Sequence, residues 1–118
     1  MGKESNFQSS VLAYLNSLPG CKAENVSGNA NQSGRPDING CFHGRMFKIE
    51  LKSPDHGYTA SKKQQLELRK WANVGCVIAV AYNMSFIKEL FENGDWNSSY
   101  TITSTTSQGS WYIIPKIQ

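Results

Sequence analysis

The 118-residue sequence predicts an α/β fold: a mixed sheet flanked by helices, in the order αβββαβα, over one domain spanning residues 1 to 118. Three observations carry that expectation. Residues 34 to 52 read as a β-hairpin, with apolar residues alternating along both arms. Residues 3 to 18 carry a helical apolar stripe ahead of it. Behind it, a helical stretch leads into the apolar run Cys76–Tyr82, and a strand–helix–strand order across residues 45 to 82 implies a right-handed crossover with parallel pairing.

In the first helix, Phe7, Val11, Tyr14, Leu15 and Leu18 fall at i, i+4, i+7, i+8 and i+11, one stripe, and Pro19-Gly20 ends it. Glu4 lies one turn before Phe7 and Gln8, near the edge of the inward stripe. A carboxylate there is either a helix-dipole residue or a site residue facing the hairpin's polar side. Residues 22 to 27 give a weak strand signal, since Val26 is their one strong β-former. Residues 27 to 35, polar and rich in Gly and Asn, cannot build a core, and the composition predicts a mobile loop. It is either a connector or a ligand-contacting loop ending at Arg35.

In the hairpin, Ile38 and Phe42 alternate on the first arm and Phe47, Ile49 and Leu51 on the second. His43-Gly44 sits between them, and Gly44 can supply the positive φ of a tight turn. With these two as loop residues, Asp37 lies opposite Glu50 and Ile38 opposite Ile49. Side chains alternate faces, so Glu50, Lys52 and Asp37 share one face, while Ile38, Phe47, Ile49 and Leu51 take the core face. Facing carboxylates repel. A divalent cation removes the repulsion, and a hard ion such as Mg²⁺ suits carboxylate oxygens, waters and phosphates. Lys52 would then orient or activate a water, or stabilise charge on a phosphate. The same residues also fit a solvated strand face with a local Glu–Lys pair.

Ser53-Pro54-Asp55-His56-Gly57 is a turn cluster. Ser61-Lys62-Lys63-Gln64 opens a second helix with the S-x-x-Q spacing of a capping box. Leu66, Leu68, Trp71, Ala72 and Val74 supply its apolar content, and Gly75 closes it. Lys62, Lys63, Arg69 and Lys70 make it basic, either a solvated face or a phosphate track. Cys76–Tyr82 reads as a strand buried on both faces. Ser85 to Asn93 is a short third helix ended by Gly94. Beyond Asp95 the chain turns β-prone and polar, as an edge strand or a tail, and Trp111–Pro115 either caps the core or meets a partner chain.

Composition sets bounds on function. A hydrophobic fraction of 39%, a charged fraction of 18% and a net charge of +3 fit an ordinary, mildly basic globular chain, compatible with nucleic acid. No apolar run approaches a membrane span, the Met1-Gly2-Lys3-Glu4 start opens no secretory signal, and Asn6 breaks the myristoylation pattern. Cys21, Cys41 and Cys76 form no C-x-x-C and read as reduced thiols in a cytosolic protein.

Pro36-Asp37 followed by Glu50-Leu51-Lys52 matches the PD-(D/E)XK nuclease pattern. Together with Gly34-Arg35-Pro36-Asp37-Ile38, the Gly40–Gly44 turn region, Ile49-Glu50-Leu51-Lys52, Ser61-x-x-Gln64 and Gly75, the chain resembles the VRR-NUC (virus-type replication-repair nuclease) family from about Glu4 to Tyr82. The resemblance implies a restriction-endonuclease-like core, αβββαβ, and a metal-dependent deoxyribonuclease. Asp37 and Glu50 would bind Mg²⁺, with Mn²⁺ able to substitute. The Leu51 carbonyl would be a further ligand, and Glu4 would act through a water. Lys52 and Gln64 would position the attacking water, and Arg35, Lys62, Lys63, Arg69 and Lys70 would meet DNA phosphates. Small stand-alone members of the family look like structure-selective nucleases of the Holliday-junction-resolving kind. That implies branched DNA as partner, a homodimer with two-fold symmetry, and a cytoplasmic role in replication, repair or recombination in a bacterium or phage-infected host. The apolar residues Phe86, Leu90, Phe91, Trp96 and Trp111–Pro115 are candidate interface material. The rival expectations are a flap or duplex endonuclease and a catalytically silent DNA-binding module.

Overall fold

The central hairpin closes as its sequence requires. In the computed structural model, which describes residues 3–26, 36–52 and 59–117, His43 has φ 49 and Gly44 φ 83. Two positive values in a two-residue loop match the twist of the flanking strands. They fix the pairing of β2 (Ile38–Phe42) with β3 (Arg45–Leu51) as Ile38↔Ile49 through Phe42↔Arg45. Gly40 sits against the ring of Phe47, where an added Cβ would collide with it. The absence of a side chain there lets the aromatic pack directly on β2.

Around this hairpin the order is α1 (Lys3–Ser17), β1 (Cys21–Asn25), β2, β3, α2 (Lys62–Asn73), β4 (Val77–Ala81), α3 (Met84–Asn93), β5 (Ile102–Thr105) and β6 (Trp111–Ile114). The six strands of the described residues form one mixed sheet, β1-β2-β3-β4-β6-β5. β3 and β4 are parallel and the other neighbours antiparallel. Through α3 the order is the expected one. The chain then adds a C-terminal hairpin: β5 is an edge strand, whereas β6, foreseen only as a cap or partner segment, lies inside the sheet against β4.

α1 and α3 cover one face. Val11 and Leu15 are fully buried there with Ile38, Phe47, Ile49, Ile87 and Leu90, and Phe7, Tyr14 and Leu18 pack against them. α2 covers part of the other face, through Leu68 on Ile78 and Val80. The second helix is less apolar inward than its composition suggested: Leu66 is 62% and Val74 77% exposed. One stripe over β4 is all that the helix buries. Its ends are well made. Ser61 and Gln64 form a reciprocal capping box. At the other end Gly75 N–H donates to the Ala72 carbonyl and Cys76 N–H to that of Trp71, with Gly75 at φ 99, a Schellman closure.

Most of the apolar residues foreseen as interface material belong to the chain's own core, while Trp111, Ile113 and Pro115 are half-buried. Phe86, Leu90, Phe91, Trp96 and Ile114 are buried. Trp96 packs on Phe42, Phe47 and Phe91 and donates its indole N–H to the Leu90 carbonyl at 2.9 Å. The Arg45 guanidinium donates to the carbonyls of Gly75, Trp96 and Pro115. One cation thereby ties the end of α2 and the C-terminal hairpin to the start of β3. The residue ranges 27–35 and 53–58, read above as a loop and a turn, lie outside the described residues.

Candidate active site

The carboxyl ends of the parallel pair, where Leu51 stands beside Ala81, gather the polar residues singled out in the sequence. Glu50 points to the α2 side of β3 and is 4% exposed. Lys52 follows the strand. Its N–H still donates to the Ala81 carbonyl at 2.9 Å, and its Nζ lies 3.3 Å from Glu50 Oε2. Asp37 precedes β2 and is held by its carbonyl, which accepts from Val26 N–H at 2.9 Å. Its Oδ2 accepts from Leu51 N–H at 2.8 Å. Because Lys52 makes the bond to β4, the N–H and carbonyl of Leu51 both face the opposite edge, where Asp37 stands.

Gln64 joins two structures at once. Its Oε1 accepts from Ser61 N–H at 2.9 Å, closing the capping box, while its Nε2 donates to Glu50 Oε2 at 2.8 Å. The local cap and the site contact hold simultaneously, which an amide allows and a carboxylate would not. Burial, and then the Asp37 carboxylate, push the Glu50 carboxyl up to about 8, and Lys52 pulls the other way.

A solved structure described as a VRR_NUC domain is similar to this chain, with a TM-score of 0.64 and 20% sequence identity over 79% of this chain and 98% of that one. The chain has the fold of a VRR_NUC domain. No family model matches the sequence, and no curated protein matches it.

On this VRR_NUC fold Asp37, Glu50, Lys52 and Gln64 come together as the sequence reading expected. Lys62 and Lys63 precede Gln64 in the first turn of α2, both exposed. Arg69 and Lys70 lie more than a turn further on. The Arg69 guanidinium lies over the Trp111 ring, 5.4 Å from its centre, and Lys70 pairs with Glu67 at 3.3 Å. Glu4 belongs to α1, but its side chain lies outside the described part of the structure, as does Arg35 altogether.

The donor set fits a hard cation. Two carboxylates meet in a poorly solvated corner, one of them pushed up in pKa by its burial and then by the other, and a cation between them offsets that cost. Among the described residues no group of three or more His, Cys, Asp and Glu side chains assembles. Two carboxylates with waters is a set Mg²⁺ accepts, since it keeps several waters and takes only one or two carboxylates.

Two residues of this face were missed in the sequence. Lys48, one alternation before Glu50, is 7% exposed with its Nζ 4.1 Å from the centre of the Trp71 ring. Asn39 is its cross-strand partner. The parity of Lys48, Glu50 and Lys52 was legible, but nothing local indicated that a lysine would be buried.

Proposed function

We propose that this chain is a Mg²⁺-dependent, structure-selective DNA endonuclease that hydrolyses phosphodiester bonds in branched DNA, in the manner of a Holliday-junction resolvase. The observation that carries the reading is the facing pair Asp37–Glu50, with Lys52 and Gln64 both bonded to the same Glu50 oxygen. A structural ion pair needs no second carboxylate beside it. The VRR_NUC fold supports the same reading.

In this reading Asp37, Glu50 and the Leu51 carbonyl hold the cation, with Glu4 assisting through a water, and Mn²⁺ can substitute. Such an ion would supply a lowered pKa for a bound water and a charge to offset that of the phosphate. Lys52 keeps an ammonium at the reacting phosphate and orients the attacking water. Gln64 fixes the Glu50 oxygen, and through it the geometry of the pair. Lys62, Lys63, Arg69, Lys70 and Arg35 follow the DNA phosphates. Residues 1 to 118 act as one nuclease domain. A homodimer supplies the two sites that paired nicks across a junction require. The setting is replication, repair or recombination in the cytoplasm of a bacterium or phage-infected host. Among the described residues no helix is long and apolar enough to cross a membrane.

The test is cleavage of four-way-junction, flap and duplex DNA by the purified protein, with Mg²⁺ or EDTA, and light scattering with and without junction. Cleavage of the junction in Mg²⁺, absent in EDTA and in Asp37→Asn, is the expected result. Cleavage surviving either change refutes the metal assignment. Binding with no cleavage of any substrate refutes the enzyme reading, and a monomer in both conditions refutes the resolvase reading.

A further inference from the structure

α2 divides the sheet face on which Glu50 lies. Gln64 bonds Glu50 on one side of the helix, while its neighbour Gln65 lines a groove on the other, between α2 and the C-terminal hairpin. The groove has a volume of about 310 Å³, and its lining includes Gln65, Arg69, Thr103, Thr105 and Trp111. Register ties it to the candidate active site. Glu50 stands beside Val80, Val80 beside Trp111 and Trp111 beside Thr105. Directly paired residues share a face, so one row runs from the carboxylate pair, beneath α2, to the groove. Three strand spacings make that row about 14 Å long.

Three features define what fits the groove. The first is charge. Among the described residues that line it, Arg69 alone is charged. Its guanidinium lies over the Trp111 ring and makes no ion pair or hydrogen bond with a described residue. A ring holds a cation without engaging its N–H groups, so the guanidinium fork remains available to an anion. The second is a pair of hydroxyls. Thr103 and Thr105 are exposed, and neither side chain has a hydrogen-bond partner among the described residues. Two residues apart on one strand, they stand about 6.8 Å from each other, the order of the step between neighbouring phosphates of a nucleic-acid strand. The third is the approach. Lys62, Gln65 and Arg69 fall at i, i+3 and i+7, one stripe of α2. The exposed Lys62 thereby extends the positive edge of the groove to the first turn of the helix, where Gln64 reaches Glu50.

We infer that this groove holds the sugar-phosphate backbone of the DNA strand on one side of the cut. Arg69 pairs with one phosphate, Thr103 and Thr105 donate to that phosphate and its neighbour, and Trp111 positions the guanidinium. The inference rests on the nuclease reading and deepens it: the C-terminal hairpin joins the DNA surface, and the strand passes round the first turn of α2. A row of about 14 Å corresponds to about four nucleotides at a rise of 3.4 Å, and to fewer in a stretched strand.

The experiment is a neutral-linkage scan. Flap and four-way-junction oligonucleotides carrying a single methylphosphonate linkage at successive positions around the cut are bound to the full chain in Ca²⁺ and followed by fluorescence anisotropy. The expected result is one linkage or two neighbouring ones, within about four nucleotides of the cut, at which losing the charge weakens wild-type binding about fivefold. Arg69→Gln binds unmodified DNA more weakly, no longer responds at those linkages, and lowers the slope of log K against log salt by about 0.9. Thr103→Val/Thr105→Val, which keeps the β-branched shape, also binds more weakly and responds there at most about half as strongly as wild type, with its salt slope unchanged. Melting curves establish that both variants are folded, and either serves alone if the other is not. A flat scan, variants as sensitive as wild type, or an unchanged salt slope in Arg69→Gln overturns the proposal, while cleavage in Mg²⁺ leaves the nuclease reading standing. Responsive linkages with no cleavage of any substrate keep the groove and overturn the nuclease reading. Absence of both binding and cleavage overturns the two together.

Discussion

Glu50→Gln exposes the tension in the carboxylate pair, and pH reads it. In the folded chain the Glu50 carboxyl is pushed from 4.5 to about 8 by burial and by Asp37. The folded state therefore binds the proton more tightly than the unfolded one. Stability from this group is fully present below about pH 4.5 and is lost as pH rises towards 8. At about 1.36 kcal/mol for each pH unit the loss has a ceiling of ~5 kcal/mol. Gln at this position still accepts from Gln64 Nε2 and offers Asp37 a donor, but it does not ionise. Its pH-independent costs, including the lost partner of Lys52, cancel when its pH curve is compared with that of wild type. Thermal melts of both proteins without divalent cation, from pH 5 to pH 9, should show Glu50→Gln gaining on wild type by several kcal/mol, roughly 10 °C or more in Tm. Adding millimolar Mg²⁺ at pH 8 should raise the wild-type Tm and leave that of the variant nearly unchanged. Parallel pH curves for the two proteins would refute the reasoning, because they mean that Glu50 ionises as an ordinary carboxylate, under no pressure from burial or from Asp37.

Other substitutions separate the roles of neighbouring residues. Lys52→Ala should lower kcat about a hundredfold or more while DNA affinity changes by less than about threefold; equal losses in the two, measured by single-turnover cleavage and anisotropy, make Lys52 a phosphate contact only. Gln64→Glu keeps the capping box but sets a third carboxylate against Glu50, so it should destabilise by about 1–2 kcal/mol at pH 8 and less at pH 5; a loss independent of pH speaks against the Gln64–Glu50 contact. Arg45→Met leaves the carbonyls of Gly75, Trp96 and Pro115 without their shared donor and should cost about 2–4 kcal/mol in urea denaturation, with a loss below 1 kcal/mol counting against the tether.

The sequence by itself determined the hairpin, its register and the face on which Asp37, Glu50 and Lys52 meet. The reason is that these depend on short-range rules: a period of two along a strand, and a two-residue turn whose positive φ values pin the pairing. The same holds for both ends of α2, where caps are written within a few residues, and for the parallel step from β3 to β4. Gln64 was legible as a cap and, through the resemblance, as a site residue. That its amide caps α2 and bonds Glu50 at once needed the distance between α2 and β3, which no local pattern contains.

Tertiary structure alone decided where the C-terminal hairpin lies and what the apolar residues ahead of it pack against. An apolar segment such as Trp111–Ile114 has the same pattern whether it caps a core, meets a partner or enters the sheet. Its place beside β4 depends on which edge of β4 remains unpaired after β3 has taken the other. The same applies to Phe86, Leu90, Phe91 and Trp96, whose burial follows from the packing of α3 and the Trp96 segment against Phe42 and Phe47. The environments of Lys48 and Asn39 are likewise non-local. Among the described residues α2 covers β4 and no helix lies over β1 and β2 on that face, so whether a residue there is buried or bonded is set by where the helix lies across the sheet. The hydrophobic stripe of α2 implies a contact but does not determine its placement, because burial is non-directional and fixes area, not register.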